Sequence, residues 1–539
     1  MKKISIYIVL LVALLASACS DSFLDSEPIT DITEQNFYKT KADAEKAIIG
    51  CYDGIQVLYA SGVAFPVLSE VISDNTFGAT GNNDAYNYQV LDEFDINRSP
   101  GETDILNDNW KNYYKAIYRM NMLLKKMDQI DWEDDLAFKT NIEAQARFLR
   151  AYCYFDMVRI WERVPLLTEP ESGNIPQAPI DDTYKVIAED LKFAAENGTN
   201  VVEPGRVNQY AAKALLARVF LFYTGYYQKT DLVGVVDKST VLQGLEDVLG
   251  VSDYGLVDEF KNLWPAASAM VNEAGDGLES SYAGKDNQET IFAIKHNITS
   301  DWNGNTDGNH WLVMMGLRAT EYNVPYSKGW GACTVSADLY AAYEDGDTRK
   351  EASIISIIGE DLSFDNGGQR EYTGYTVKKY TPMASPYKDE ETGEINVGDV
   401  SEINGGENFM ISQFQDYVVI RYADVMLMAA ELGSANAQSY FDEVRRRAGL
   451  DPKALTKENI MVERRYEFAF EGIRYWDLLR QGVDVAANAI GTTTKVLNGG
   501  VETDKVIQSA KVTETKGLMQ IPQQQITRSA GVLTQNAGW

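Results

Sequence analysis

The chain has 539 residues, 45% of them hydrophobic and 24% charged, with a formal net charge of -30. That balance supplies apolar material for a large core and excludes global disorder. The acid excess disfavours nucleic acid and anionic lipid heads as partners. His296, His310 and four cysteines without a Cys-x-x-Cys spacing leave no basis for a zinc site.

The first element is a secretion signal. Lys2 and Lys3 precede an apolar run from Ile4 to Leu15, followed by Ala16-Ser17-Ala18 and Cys19. The run is too short to span a membrane stably and has the layout of a signal peptide, residues 1–18. The small residues before Cys19 resemble a bacterial lipobox, so Cys19 is expected to become the acylated first residue of the mature chain, with 19–34 as a linker. Several acyl chains on one residue anchor durably, because each buried methylene contributes about 0.8 kcal/mol.

From Thr33 onward the pattern is helical. Lys41 to Leu58 places Ala44, Ile48, Cys51, Ile55 and Leu58 on one face. Asn107 to Met127 and Asn141 to Trp161 repeat the spacing, and Pro165 ends the latter. Tyr184 to Ala195 is a helix capped by Asp181 or Asp182. Asn208 to Tyr223, Val418 to Glu431, Phe441 to Arg447 and Asn459 to Arg480 read as further helices. Cys153 falls on an apolar face and reads as a small buried hydrophobe. Between about 234 and 415 Gly, Asn, Asp and Ser are dense. Only Glu289 to Ile294 reads as a short strand there, while 300–310 and 365–369 read as loops. Trp302, Trp311, Tyr322, Tyr326 and Trp330 argue against disorder in this stretch.

Two features invite catalytic or metal readings. Glu463, Glu467 and Glu471 lie four apart on one helix face, a layout that paired glycosidase carboxylates could share. Arg464, Arg474 and Arg480 nearby favour ion pairing between helices instead, since guanidiniums lower carboxylate pKa values. Asp301 to Asn309 alternates oxygen-bearing side chains but lacks the Gly and Glu of a calcium loop, so a solvated turn is expected and no metal. No phosphate-binding glycine loop or nucleophile elbow occurs. No cofactor is expected.

Four stretches carry a family resemblance. They are Phe23-Leu24-Asp25-Ser26-Glu27-Pro28; Ala144-Gln145-Ala146-Arg147-Phe148-Leu149-Arg150-Ala151-Tyr152 with Trp161 and Val164-Pro165-Leu166; and Arg421-Tyr422-Ala423-Asp424-Val425 with Val444-Arg445-Arg446-Arg447-Ala448-Gly449-Leu450 and the run from Glu463 to Leu478. The fourth is Ile521-Pro522 with the terminal Gln535-Asn536-Ala537-Gly538-Trp539. Jointly they resemble the SusD/RagB family, with Ala537 and Trp539 departing from the usual Pro and Tyr.

The resemblance implies a mainly α fold of tetratricopeptide-like helix pairs, a single domain over 35–539. Its helical scaffold would cover about 35–230 and 416–482, a loop-rich binding region about 234–415, and a C-terminal segment 483–539. It implies a non-catalytic, lipid-anchored outer-membrane protein of Bacteroidota, facing outward. Such a protein binds a glycan and passes it to a SusC-like TonB-dependent transporter. Sugars offer flat C–H faces ringed by hydroxyls, which aromatic platforms with amide or carboxylate neighbours recognise. The candidate contacts are Asn82, Asn83, Asp84, Tyr86 and Tyr88 from one loop, and Trp302, Asn305, Trp311 and Tyr322 from the irregular middle. Trp302 leads, because Asn, Gly and Asp surround it. Trp330, beside Ser336-Ala337-Asp338-Leu339-Tyr340, stands between loop and core. The alternatives are a peptide-binding RagB-type uptake protein, a surface glycoside hydrolase, and a lid that touches no ligand.

Overall fold

The computed structural model describes residues 37–60, 63–98 and 104–539. The signal segment 1–18, Cys19, the linker 19–34 and the Phe23–Pro28 motif lie outside the described residues. Among the described residues 45% are helical and 13% strand, so the expected mainly α class holds.

The scaffold is a row of helices: α1 (Lys41–Tyr59), α2 (Asn107–Lys126), α3 (Leu136–Trp161), α4 (Ile180–Asn197), α5 (Gln209–Tyr226), α6 (Lys238–Leu249), α7 (Tyr422–Glu431) and α8 (Ala437–Arg447). Each packs on the next, including α6 on α7, although more than 170 residues of sequence separate them. Local chemistry sets the ends. Thr40 and Asp43 form a capping box on α1, and Asn208 caps α5 by accepting from Tyr210 and Ala211. The expected Asp cap of α4 is not used. Pro179 occupies that position without a side-chain bond, and Asp181 and Asp182 sit in the first turn, where carboxylates favour the positive end of the helix dipole. α3 begins five residues before the expected Asn141, capped by Asp135.

Small residues let these helices approach. A Cβ at Gly225 in α5 would overlap the carbonyl oxygen of Arg480. Gly225→Ala should therefore force backbone apart and cost about 1–3 kcal/mol; unchanged midpoints in urea unfolding would refute this contact as a constraint.

Two expected helices are corrected. Val418 to Glu431 begins as a strand, Tyr417–Arg421, paired antiparallel with Thr290–Ile294, and only then becomes α7. Its Tyr-Val-Val-Ile start is a β-branched run suited to a pleated, buried surface. Asn459 to Arg480 is two helices, α9 (Lys457–Glu467) and α10 (Arg474–Leu479). Between them Phe470 and Gly472 adopt positive φ of 68° and 72°. The break turns Glu471 inward, where it meets Arg421 at 2.7 Å and Lys379 at 2.7 Å.

The C-terminal motif pins the tail to α3. Trp161 Nε1 donates to the Gln520 carbonyl, Gln535 bonds both the N–H and the C=O of Ile521, and Asn536 donates to the carbonyls of Trp161 and Met519. A four-stranded antiparallel sheet, ordered β1 (Thr76–Gly78), β2 (Cys333–Val335), β4 (Tyr375–Val377), β3 (Ile354–Ser356), lies in the loop-rich half. Cys51, Cys153 and Cys333 are buried free thiols.

Candidate functional site: a loop cavity above a buried ion lattice

The helical glutamates sit in a buried lattice. Glu467 accepts from Arg349, Arg421 and Arg447; Glu463 from Arg349 and Arg445; Glu471 from Arg421 and Lys379; Glu289 from Arg421 and Arg447. All these carboxylates are at most 2% exposed. Burial alone would raise the pKa of Glu467, but Arg447, Arg421 and Arg349 outweigh it and hold the carboxyl well below its usual range. The ion-pairing expectation holds, with one change. The partners of Glu463, Glu467 and Glu471 come from distant segments and not from the neighbouring Arg464, Arg474 and Arg480. Those three pair with Asp424, Asp74, Asp477 and Glu431. A general acid needs a raised pKa and access to substrate, and Glu467 has neither.

Glu70 behaves oppositely. Burial lifts its pKa to about 8 against the Gly472 N–H that bonds its Oε1. It is therefore mostly protonated at neutral pH. A raised folded-state pKa contributes stability below the unfolded value of about 4.3, and this contribution is lost as pH climbs toward 8. Glu70→Gln should fold normally at pH 7 and flatten the stability profile between pH 5 and 8, read by unfolding midpoints across that range. A variant profile as steep as the wild type would argue that Glu70 is ionised throughout.

The loop cavity follows from the sheet register. Gly78 pairs with Cys333, so the chain leaving β1 lies beside the chain entering β2. Ala79 N–H bonds the Ala332 carbonyl, and Asn82 N–H bonds that of Gly368. The result is an open cavity of about 550 Å³ lined by Asp84, Arg318, Lys328, Trp330, Asp365 and Phe409, with backbone from Gly329 and Gly368. Trp330 is 38% exposed, and its ring is held edge-on by His310 at 5.5 Å. The flanking glycines permit this. A Cβ at Gly331, which has φ +64°, would lie 2.6 Å from Gln369, and one at Gly329 would overlap Gly316. Arg318 bonds the Gly368 and Trp330 carbonyls and lies 3.7 Å from Asp84. Lys328 rests over the Tyr322 ring at 4.4 Å.

The expected contacts divide. Asp84 lines the cavity, and Asn82, Asn83 and Tyr86 are exposed on the same loop. Tyr322 is half-buried beneath Lys328. Trp302 is 61% exposed on its own loop but does not line this cavity. Asn305 spends its amide on that loop, accepting from Asp307 N–H and donating to the Thr299 carbonyl. Trp311 and Tyr88 are corrections. Trp311 is fully buried in a six-residue helix, its ring 4.9 Å from Tyr380 and 5.6 Å from Tyr417. Tyr88 is 5% exposed and packs beneath β1. Both rings are core, leaving no face for a solute. Lys328, Asp365 and Phe409 were missed, since nothing local marks them. Trp330 between two glycines was the legible signal.

Two family models match this architecture. One, described as the SusD family, covers residues 288–539, and the other, described as starch-binding associating with outer membrane, covers 22–221. The chain belongs to the SusD family. A SusD-like protein of Bacteroides ovatus is 25% identical over 491 residues, spanning 88% of this chain and 82% of that protein. The SusD-like protein P25 of Formosa agariphila is 23% identical over 532 residues, spanning 89% and 90%. Among solved structures, a laminarin binding SusD-like protein superposes with a TM-score of 0.69 at 26% identity, over 93% of this chain and all of that one. A surface glycan-binding protein A from Bacteroides thetaiotaomicron in complex with laminarihexaose shares the SusD fold, with a TM-score of 0.71 at 20% identity over 93% of this chain and 100% of that one.

Proposed function

We propose that this SusD-family chain captures a glycan in the Trp330 cavity and passes it, unaltered, to a SusC-like TonB-dependent transporter. The carrying observation is a glycine-flanked indole, partly exposed, on the wall of an open cavity with Asp84 and Arg318 as polar neighbours. That pairing of an apolar ring with hydrogen-bonding side chains suits a pyranose, whose C–H face stacks while its hydroxyls find donors and acceptors. Trp302 is a second exposed aromatic, on a separate loop. The laminarin binding relative lends weight to a glycan. The buried, arginine-held state of Glu463, Glu467 and Glu471 supports a binding role over hydrolysis.

In this reading the signal 1–18 is removed, lipidated Cys19 tethers the chain to the outer membrane, and one domain, 35–539, faces outward. The test is a glycan array on the soluble mature chain followed by titration calorimetry, with a reducing-sugar assay in parallel. A hit without sugar release supports the proposal. Release of sugar, or affinity for peptides alone, refutes it.

A further inference from the structure

The cavity wall has a keystone that takes no part in lining it. Arg370 is 5% exposed, in the segment between the Asn366–Gly368 turn and β4. Its Nη1 donates to Thr80 Oγ1 at 3.0 Å and to the Ala85 carbonyl at 3.2 Å. Its Nη2 donates to the carbonyls of Asn82 at 3.0 Å and Asp84 at 2.8 Å. The guanidinium also lies over the Tyr86 ring, 3.7 Å from its centre. No carboxylate lies within ion-pair distance of Arg370 among the described residues, so its donors are committed to one loop's backbone and to Thr80. The main chain adds to this: Arg370 N–H bonds the Thr80 carbonyl, and Gly368 accepts from Asn82.

We infer that Arg370 is the positioning residue of the binding site, fixing residues 80–86 in the shape that presents Asp84 to the cavity. The inference rests on the glycan-binding reading of that cavity. Between β1 and the Asn87–Asp92 helix the loop closes one short turn of its own, from Gly81 to Asp84, and the carbonyls of Asn82, Asp84 and Ala85 converge on one cation. A planar fork with several donors can satisfy carbonyls at different angles at once. An ammonium carries three donors on a single atom, too few for the four acceptors held here by two nitrogens, so lysine is no replacement. The loop's order is then set from the middle of the chain, and any change in the 365–370 segment is transmitted to Asp84, nearly 300 residues earlier.

The test compares wild type, Arg370→Gln and Arg370→Lys by three readouts. These are amide hydrogen exchange over residues 79–86, thermal unfolding, and calorimetric affinity for the strongest binder in an oligosaccharide array containing laminarihexaose and maltohexaose. Both variants should show faster exchange confined to 79–86, an affinity weakened about tenfold or more, and a helical melting transition close to wild type. Lysine should restore little. If the glutamine variant fails to fold, the lysine variant carries the comparison. Wild-type affinity and exchange in the variants would overturn the role of Arg370 while leaving the glycan reading intact. A wild-type chain that binds no glycan would sink that reading and reduce Arg370 to a structural clamp, overturning the positioning role as well.

Discussion

Glu467→Ala should be the most damaging single substitution in the scaffold, removing about 3–5 kcal/mol and leaving little folded protein. Three guanidiniums, from Arg349, Arg421 and Arg447, donate to this one buried carboxylate. Its removal leaves those cations facing each other in a medium that solvates charge poorly. Glu467→Gln keeps the shape but not the charge, so it should be nearly as harmful. An unfolding free energy from guanidinium chloride titration within about 1 kcal/mol of wild type would mean the lattice behaves like a surface salt bridge. The acid limit has the same origin. Glu467 and Asp424 have depressed folded-state pKa values, because their arginines overcome the opposing effect of burial. Their contribution is complete above the unfolded carboxylate range near about pH 4 and drains away as pH falls below it. Acid unfolding of the wild-type chain, followed by circular dichroism, should therefore begin below about pH 4.

Trp330→Ala should weaken glycan affinity by about 2 kcal/mol or more, roughly thirtyfold, without lowering the melting temperature appreciably. The indole is partly exposed and leans on His310, so little core packing is lost with it. Trp311→Ala makes the opposite control. Its ring fills the space between Tyr380 and Tyr417, so its loss should cost about 3–5 kcal/mol of stability. Any effect on affinity would then come only through unfolding. Equal affinities for Trp330→Ala and wild type in calorimetry would place the glycan elsewhere, with the exposed Trp302 loop next to be tested.

Much of the scaffold was legible because helix periodicity is local. α1 and α2 ended within a residue or so of the expected bounds, and the glutamate spacing pointed to ion pairs rather than acid catalysis. Tertiary constraints supplied what the pattern could not. Nothing near Glu471 reveals that Arg421 and Lys379 will draw it inward and break the helix. Val-Val-Ile at 418–420 reads as the start of a helix, because its partner strand lies more than 120 residues away. For the cavity, residue type was a poor guide to exposure. Trp302 and Trp311 share one polar stretch, yet one is at the surface and the other wholly enclosed, since Trp311 lands against Tyr380 and Tyr417. Cavity formation depends on β1 meeting β2, which no window of sequence contains.

The interruption between α6 and α7 has an implication for how such a fold can change what it binds. The row of helices touches itself across the gap, so the excursion from 250 to 421 behaves as cargo carried by a continuous frame. Lengthening a flexible excursion is thermodynamically mild, about 0.6 kcal/mol for each doubling of a loop. Yet Glu289, Arg349, Lys379 and Arg421 bolt this one to the frame at fixed points. Exposed loops between the bolts, such as the one that carries Trp302, can drift and be regrafted while buried residues such as Trp311 stay, and new recognition surfaces can arise there while the frame folds as before.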